Sequence, residues 1–182
     1  GLSLAGRSRR VFMFTSTSPR DGKTLAAMGT AMTFAREGKR VLLCELDMRR
    51  PRLGEVVKQL APNLSGKTGL SKVLVGEDTL PNVTWKHPNL PTLSIALCGP
   101  PPPNPAELLL NESFNKFLET AKEDYDLVII DSPPVLHVAD ASIIAGDSDV
   151  AVVFIAKMFK TDRMAAASAV EQLRKVQGEV IG

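Results

Sequence analysis

Several residue types are scarce in this chain, and each scarcity excludes something. Only two cysteines occur in 182 residues, Cys44 and Cys98, in apolar or proline-rich surroundings and without CxxC spacing. That excludes a disulfide framework or a thiolate metal site and reads as two buried, reduced thiols. The two histidines, His87 and His137, have no partner at ligand spacing and read as surface or packing residues. The formal net charge of +2 gives no field that would hold nucleic acid. No apolar run is long enough to span a bilayer. The lead, residues 1–10, ends in Arg7-Ser8-Arg9-Arg10 with no apolar region or cleavage site after it, so it is not a secretory signal. Aromatic residues make up 5% of the chain, with Trp85 and Tyr125 the single tryptophan and tyrosine. Trp85 reads as a core or edge residue. Tyr125, at the head of an apolar run, reads as packing, so this stretch holds no tyrosine cluster.

What is present suits one globular domain: 44% hydrophobic and 23% charged residues. Short, β-branched apolar runs at residues 11–14, 41–44, 127–130 and 150–155 read as buried strands. Helical patterns lie between them, at 23–37 with Gly38 closing the helix, and at 114–121, 139–146 and 163–176. Strands apolar on both faces that alternate with helices predict an α/β fold, a mostly parallel sheet covered by helices on both faces. Two stretches break the rhythm. Residues 80–93 carry Pro81, Pro88 and Pro91 and hold an edge strand around Val83-Thr84-Trp85. Residues 99–105, GPPPPNP, read as an ordered surface loop, because proline lacks a donor and fixes φ. The helical pattern resumes at Ala106, which favours one domain over two with a linker. Glu179-Val180-Ile181-Gly182 reads as the start of a further strand.

Three stretches carry chemistry. In TSTSPRDGKT, residues 15–24, the order strand, loop, helix predicts a phosphate-binding loop formed by Thr17, Ser18, Pro19, Arg20, Asp21, Gly22, Lys23 and Thr24. Backbone N–H groups near Gly22 point at phosphate oxygens. Lys23 reaches the β- and γ-phosphates and the Thr24 hydroxyl ligates Mg²⁺. Thr17 stands where the usual first glycine would be. In LLCELDMRRP, residues 42–51, Glu45 and Asp47 follow a buried strand. Residues two apart in an extended chain point the same way, so both acids are expected to face the loop. In YDLVIIDSPP, residues 125–134, an apolar strand ends in Asp131, where a carboxylate can orient a magnesium-bound water. Asp140 can cap the helix that follows.

Together these stretches resemble the Walker A, A′ and B motifs of the bacterial tyrosine kinases of capsule and exopolysaccharide synthesis. GLSKVLVGE, residues 69–77, and PPNPAELL, residues 102–109, are also similar to that family. The resemblance implies a P-loop NTPase-like fold, ATP and Mg²⁺ as cofactors, and transfer of the γ-phosphoryl group to tyrosines in the tail of a neighbouring copy. It assigns catalysis to Lys23, Glu45, Asp47 and Asp131, with Glu45 as a candidate base, and metal holding to Thr24, Asp47 and Asp131. It further implies a ring-like homo-oligomer, a membrane activator or polysaccharide co-polymerase domain as partner, a place in the cytoplasm at the inner face of the cell membrane, and a final strand and tyrosine tail beyond Gly182. The chain departs from the family at Glu45, where an aspartate is usual, and at Arg20 and Asp21. Two other readings stay open. One is an ATPase switch of the partitioning or septum-site class, which needs an extra lysine where Ser16, Thr17 and Ser18 stand. The other is a catalytically weakened module that senses nucleotide.

Overall fold

The computed structural model describes residues 10–58 and 68–182. Residues 1–9 of the expected lead lie outside the described residues. In chain order the elements are β1 (Val11–Ser16), α1 (Lys23–Arg36), β2 (Val41–Glu45), α2 (Leu53–Lys58), α3 (Leu70–Leu74), α4 (Leu80–Val83), β3 (Thr84–His87) and β4 (Leu90–Ala96). They continue with α5 (Pro105–Leu110), α6 (Glu112–Asp124), β5 (Leu127–Asp131), α7 (Ala139–Ala145), β6 (Val150–Ile155), α8 (Arg163–Lys175) and β7 (Glu179–Val180). The strands form one sheet in the order β3-β4-β2-β5-β1-β6-β7. Every neighbouring pair is parallel except β3 with β4.

The period of two in the strands explains the layers. Val11 and Met13 of β1, Leu42 and Cys44 of β2, and Val128 and Ile130 of β5 join one buried cluster with residues of α5, α6, α7 and α8. Their alternates, Phe14, Val41, Leu43, Leu127 and Ile129, join a second cluster with Ala27, Met28 and Ala31 of α1 and with Leu53 and Val57 of α2. Strands with no polar face must be covered twice, and parallel crossovers supply helices for both sides. The predicted parallel sheet with two helical layers is therefore what forms.

Two expectations need correction. Residues 90–96 form β4, an inner strand between β3 and β2 that the prolines concealed. Its pairing with β2 begins at Leu93, so Pro91 sits ahead of that ladder and withholds no donor from it. Pro105, read as loop, opens α5. The first helical position needs no N–H donor and suits a fixed φ. The expected edge strand is β3, and the strand expected to start at Glu179 is β7, parallel to β6.

One of the further stretches similar to the kinase family, residues 69–77, meets the backbone that leaves β4. The Leu70 N–H donates to the Leu97 carbonyl at 2.9 Å and the Ser71 N–H to that of Cys98 at 3.0 Å. A Cβ added to Gly69 would lie 2.4 Å from the Gly99 nitrogen, and Gly99 itself turns at φ 78°. Only a residue without a side chain fits this crossing. Gly69→Ala should therefore cost about 3 kcal/mol, the upper range for overpacking, and lower Tm by roughly 6–12 °C. Gly29→Ala, on an exposed face of α1 with no atom within 4 Å of the new Cβ, should gain about 0.5–1 kcal/mol. Thermal denaturation of the two variants checks the opposite signs.

Candidate functional site

β1, β5 and β2 are neighbours, and the loops that carry the candidate residues leave their C-terminal ends side by side. After β1 the chain turns through residues 17–22 and enters α1. Gly22 is the N-cap at φ 104°, in the left-handed region. No side chain caps α1 and no acid stands in its first turn. The first N–H groups of a 14-residue helix are thus left for an anion. The loop is braced internally: the Ser16 hydroxyl donates to the Ser18 carbonyl at 2.8 Å, and the Ser18 N–H to Asp21 Oδ2 at 2.9 Å. The Thr17 Oγ1 is buried and has no hydrogen-bond partner among the described residues. A buried polar atom without a partner in a loop of free donors marks a place for a polar ligand.

Lys23, the first residue of α1, points back beneath this loop. Its ammonium lies 3.2 Å from Asp47 Oδ2 and 3.2 Å from Asp131 Oδ1. Lys23 is 5% exposed, Asp47 4% and Asp131 0%. The Thr24 hydroxyl donates to Asp131 Oδ2 at 2.7 Å. Asp47 Oδ1 in turn accepts the Arg50 N–H at 3.1 Å. Burial pushes the Asp131 carboxyl above its ordinary value, against the opposing pull of Lys23 and Thr24. One ammonium and two carboxylates sum to a formal charge of −1 in a nearly dry site, which favours a further cation.

Glu45 stands elsewhere. It pairs with Asp131 in the register of β2 and β5, but its carboxylate is turned away from Lys23. Oε1 accepts the Leu53 N–H at 2.6 Å and the Gly54 N–H at 3.4 Å, and Oε2 accepts the Cys98 N–H at 3.2 Å. The expectation that Glu45 and Asp47 both face the phosphate loop is corrected here. The strand ends at Glu45, so the alternation that would align residues two apart stops there. Glu45 instead ties the exit of β2 to the start of α2 and the exit of β4. Burial raises its carboxyl, while the Cys98 and Leu53 N–H groups act the other way. The cysteines behave as expected of buried thiols: Cys44 is raised by burial, and Cys98 is pushed up to about 12 by burial and the nearby Glu45 and Asp47 charges.

An open cavity of about 920 Å³ lies over the site, lined by Pro19, Arg20, Gly22, Lys23, Thr24 and Asp47 among others. Asp131 sits under it, behind Lys23 and Thr24. Thr17, Ser18, Asp21 and Glu45 do not line it. Arg49 does, and its position reveals a partner that the sequence reading missed. The Arg49 Nε and Nη2 donate to Asp140 at 2.8 and 3.1 Å, and Asp140 is wholly buried. Asp140 is therefore not a helix cap, since Val138 holds that position on α7. The two residues are 91 positions apart, so no local pattern announces the pair. His137, exposed, is also at the cavity wall. His87 is buried, with Nδ1 accepting the Asn89 N–H and its ring tilted against Trp85.

The residues fit a magnesium nucleotide. The donors are hard oxygens, from two carboxylates and one hydroxyl, and among the described residues no group of three or more His, Cys, Asp or Glu forms a self-sufficient metal cage. Mg²⁺ usually takes one or two carboxylates, waters and the phosphates of its substrate. The uncapped helix and the lone Thr17 hydroxyl suit those phosphates.

Comparison with known proteins gives the family and the fold. A family model described as an AAA domain matches residues 20–179. The chain is 35% identical over 176 residues to the tyrosine-protein kinase YwqD of Bacillus subtilis, covering 97% of this chain and 71% of that protein. It is 33% identical over 176 residues to the tyrosine-protein kinase wzc of Salmonella typhimurium, and spans 22% of that longer protein. Among solved structures, the kinase domain of the Escherichia coli tyrosine kinase ETK superposes with a TM-score of 0.85 at 27% identity, covering 96% of this chain and 66% of that one. The cell-division protein MinD of Aquifex aeolicus superposes at 0.73 with 19% identity, a likeness of fold alone.

The role of Glu45 is testable by shortening it. Glu45→Asp pulls the carboxylate back by about one ångström and cannot keep hold of Leu53, Gly54 and Cys98 together. Each buried N–H left unpaired costs about 1–3 kcal/mol, so the urea midpoint of the variant should fall. A midpoint equal to wild type would show that the side chain is free to serve the phosphate loop.

Proposed function

This chain belongs to the AAA-domain family and, within it, to the bacterial tyrosine-protein kinases, and from that premise we propose that it transfers the γ-phosphoryl group of ATP to tyrosine with Mg²⁺. The observation that carries the reading is Lys23 held between Asp47 and Asp131 under a loop of free N–H donors. Bound Mg·ATP supplies the phosphoryl group and the divalent charge. The protein supplies position and charge balance, which is most of what phosphoryl transfer requires. The loop N–H groups orient the phosphates. Lys23 neutralises charge on the transferring group. Thr24 and Asp131 orient the shell of the metal. Asp47 is the carboxylate on the cavity wall, so it, rather than Glu45, stands where the proton of an acceptor hydroxyl can go. With Glu45 engaged as a clamp, its replacement of the family aspartate gives no reason to regard the domain as a weakened sensor. The switch reading rests on fold likeness alone, and Ser16, Thr17 and Ser18 offer none of the extra lysine that it needs.

The acceptor in this proposal is a tyrosine-rich tail of a neighbouring copy in a ring-like assembly. The setting is the cytoplasmic face of the membrane, beside a membrane activator and in the service of polysaccharide polymerisation and export. No described helix is long and apolar enough to cross a membrane. Tyr125 is half-buried against the core at the end of α6, so it is not the acceptor.

Transfer of labelled phosphate to a tyrosine-tail peptide tests the mechanism. Asp47→Asn and Asp131→Asn should each lower turnover on the order of 10²-fold or more, while ADP affinity, held by the loop and Lys23, changes only a few-fold. If both variants phosphorylate the peptide at the wild-type rate, the roles drawn here are wrong.

A further inference from the structure

Three residues other than glycine hold a left-handed backbone among the described residues: Arg20 at φ 69°, Phe159 at 62° and Gln177 at 61°. Gln177 closes the turn after α8, its N–H on the Arg174 carbonyl at 2.9 Å. The other two stand on adjacent loops at the catalytic edge. β1 leads into the loop of Arg20 and β6 into that of Phe159, and the two strands run in parallel with Ser16 opposite Ile155.

The Phe159 turn is firmly built. The Lys160 and Thr161 N–H groups donate to the Lys157 carbonyl at 3.1 and 2.9 Å, and the Lys157 N–H donates to Thr161 Oγ1 at 2.7 Å. Asp162 caps α8 by accepting the Ala165 N–H at 2.8 Å. At the tip Phe159 is 99% exposed and Met158 78%. Glycine would hold this backbone without strain, and a phenylalanine that packs against nothing brings no burial in return. Strain and apolar exposure at one ordered residue point to something that it touches. Lys157, Lys160 and Arg163 surround the tip, all exposed, and the one acid in the turn, Asp162, is engaged by the cap.

We propose that this turn is the docking ledge for the acceptor: an acidic, extended segment bearing the tyrosine, with its carboxylates against Lys157, Lys160 and Arg163 and an apolar or aromatic neighbour on Met158 and Phe159. The proposal rests on the kinase reading. Its position supports it. The acceptor hydroxyl must enter the cavity at the ends of β1, β5 and β2, and β6 is the next strand outward, about 4.8 Å from β1. A segment crossing the ledge advances about 3.3 Å per residue, so it reaches the cavity mouth within a few residues. Charge supports it too. The chain nets only +2, yet exposed Arg20, Arg50, Lys157 and Lys160 belong to loops of this one edge, and exposed Arg163 opens α8 beside them. A bilayer pressed on the same tip would cover the mouth against its own substrate, which favours a peptide over a membrane.

Fluorescence anisotropy with the chain saturated in Mg·ADP tests the ledge, using two labelled peptides with the tyrosine flanked by glutamates or by glutamines. Wild type should bind the acidic peptide about tenfold more tightly. Lys157→Glu with Lys160→Glu should erase the preference. Phe159→Gly should weaken both peptides without lowering Tm, and ADP affinity should stay unchanged throughout. Equal binding of the two peptides, or indifference to the variants, overturns the proposal. So does Phe159-dependent sedimentation with phosphatidylserine vesicles in a chain that does not discriminate between the peptides. The readout is binding, so it separates the ledge from the chemistry. A chain that prefers the acidic peptide but transfers no phosphate keeps the ledge and contradicts the kinase reading; one that binds and phosphorylates both alike does the reverse.

Discussion

A lysine ammonium held between two carboxylates, out of water, is the constraint around which the domain is arranged. Removing three charges from solvent is costly, and mutual attraction offsets that cost only when the geometry is good and the remaining polar atoms are satisfied. Lys23 comes from the start of α1, Asp47 from the exit of β2 and Asp131 from the end of β5. They meet because β2, β5 and β1 are consecutive in the sheet, and that order in turn requires helices on both faces to carry the crossovers. Thr24, on the next position of α1, supplies one more hydrogen bond to Asp131. The cluster still carries a net negative charge, so the protein by itself leaves the site one cation short. A divalent metal and a polyphosphate are complementary to that deficit and to the uncapped helix above it.

The surroundings serve mainly to hold backbone in place. Glu45 uses both oxygens on N–H groups of α2 and of the β4 exit. It thereby fixes the segment that brings Arg52, Glu55 and Val56 to the cavity wall. The glycines at 69 and 99 let two chain segments cross at a distance that no side chain would allow. Arg49, at the cavity wall, and buried Asp140 join the loop after β2 to the first turn of α7. The Gly69 crossing gives residues 69–77, which resemble the kinase family, a structural role away from Lys23.

How much of this could be read from the sequence depended on the range of the interaction. The strands at β1, β2, β5 and β6 were legible because each is a short, β-branched run with no polar face, which only a strand covered on both sides can bury. The turn from β1 into α1 was legible because Gly22, Lys23 and Thr24 follow a strand and open a helix. β4 was hidden by Pro88 and Pro91, whose effect on pairing ends before Leu93. The misreading of Glu45 came from extending a period of two beyond the residue where the strand stops. The Arg49–Asp140 pair and the Phe159 turn left no local trace: one is a contact across 91 positions, and the other depends on a backbone conformation that composition does not reveal.

The central claim is that the Lys23 cluster is a magnesium–nucleotide site. Calorimetric titration of ADP into the chain, with and without Mg²⁺, addresses it directly when wild type and Lys23→Met are run side by side, with Tm confirming that both are folded. The account predicts binding that strengthens with Mg²⁺ in wild type and weakens at least about tenfold in the variant. Affinity that ignores both the metal and the loss of the ammonium would contradict it.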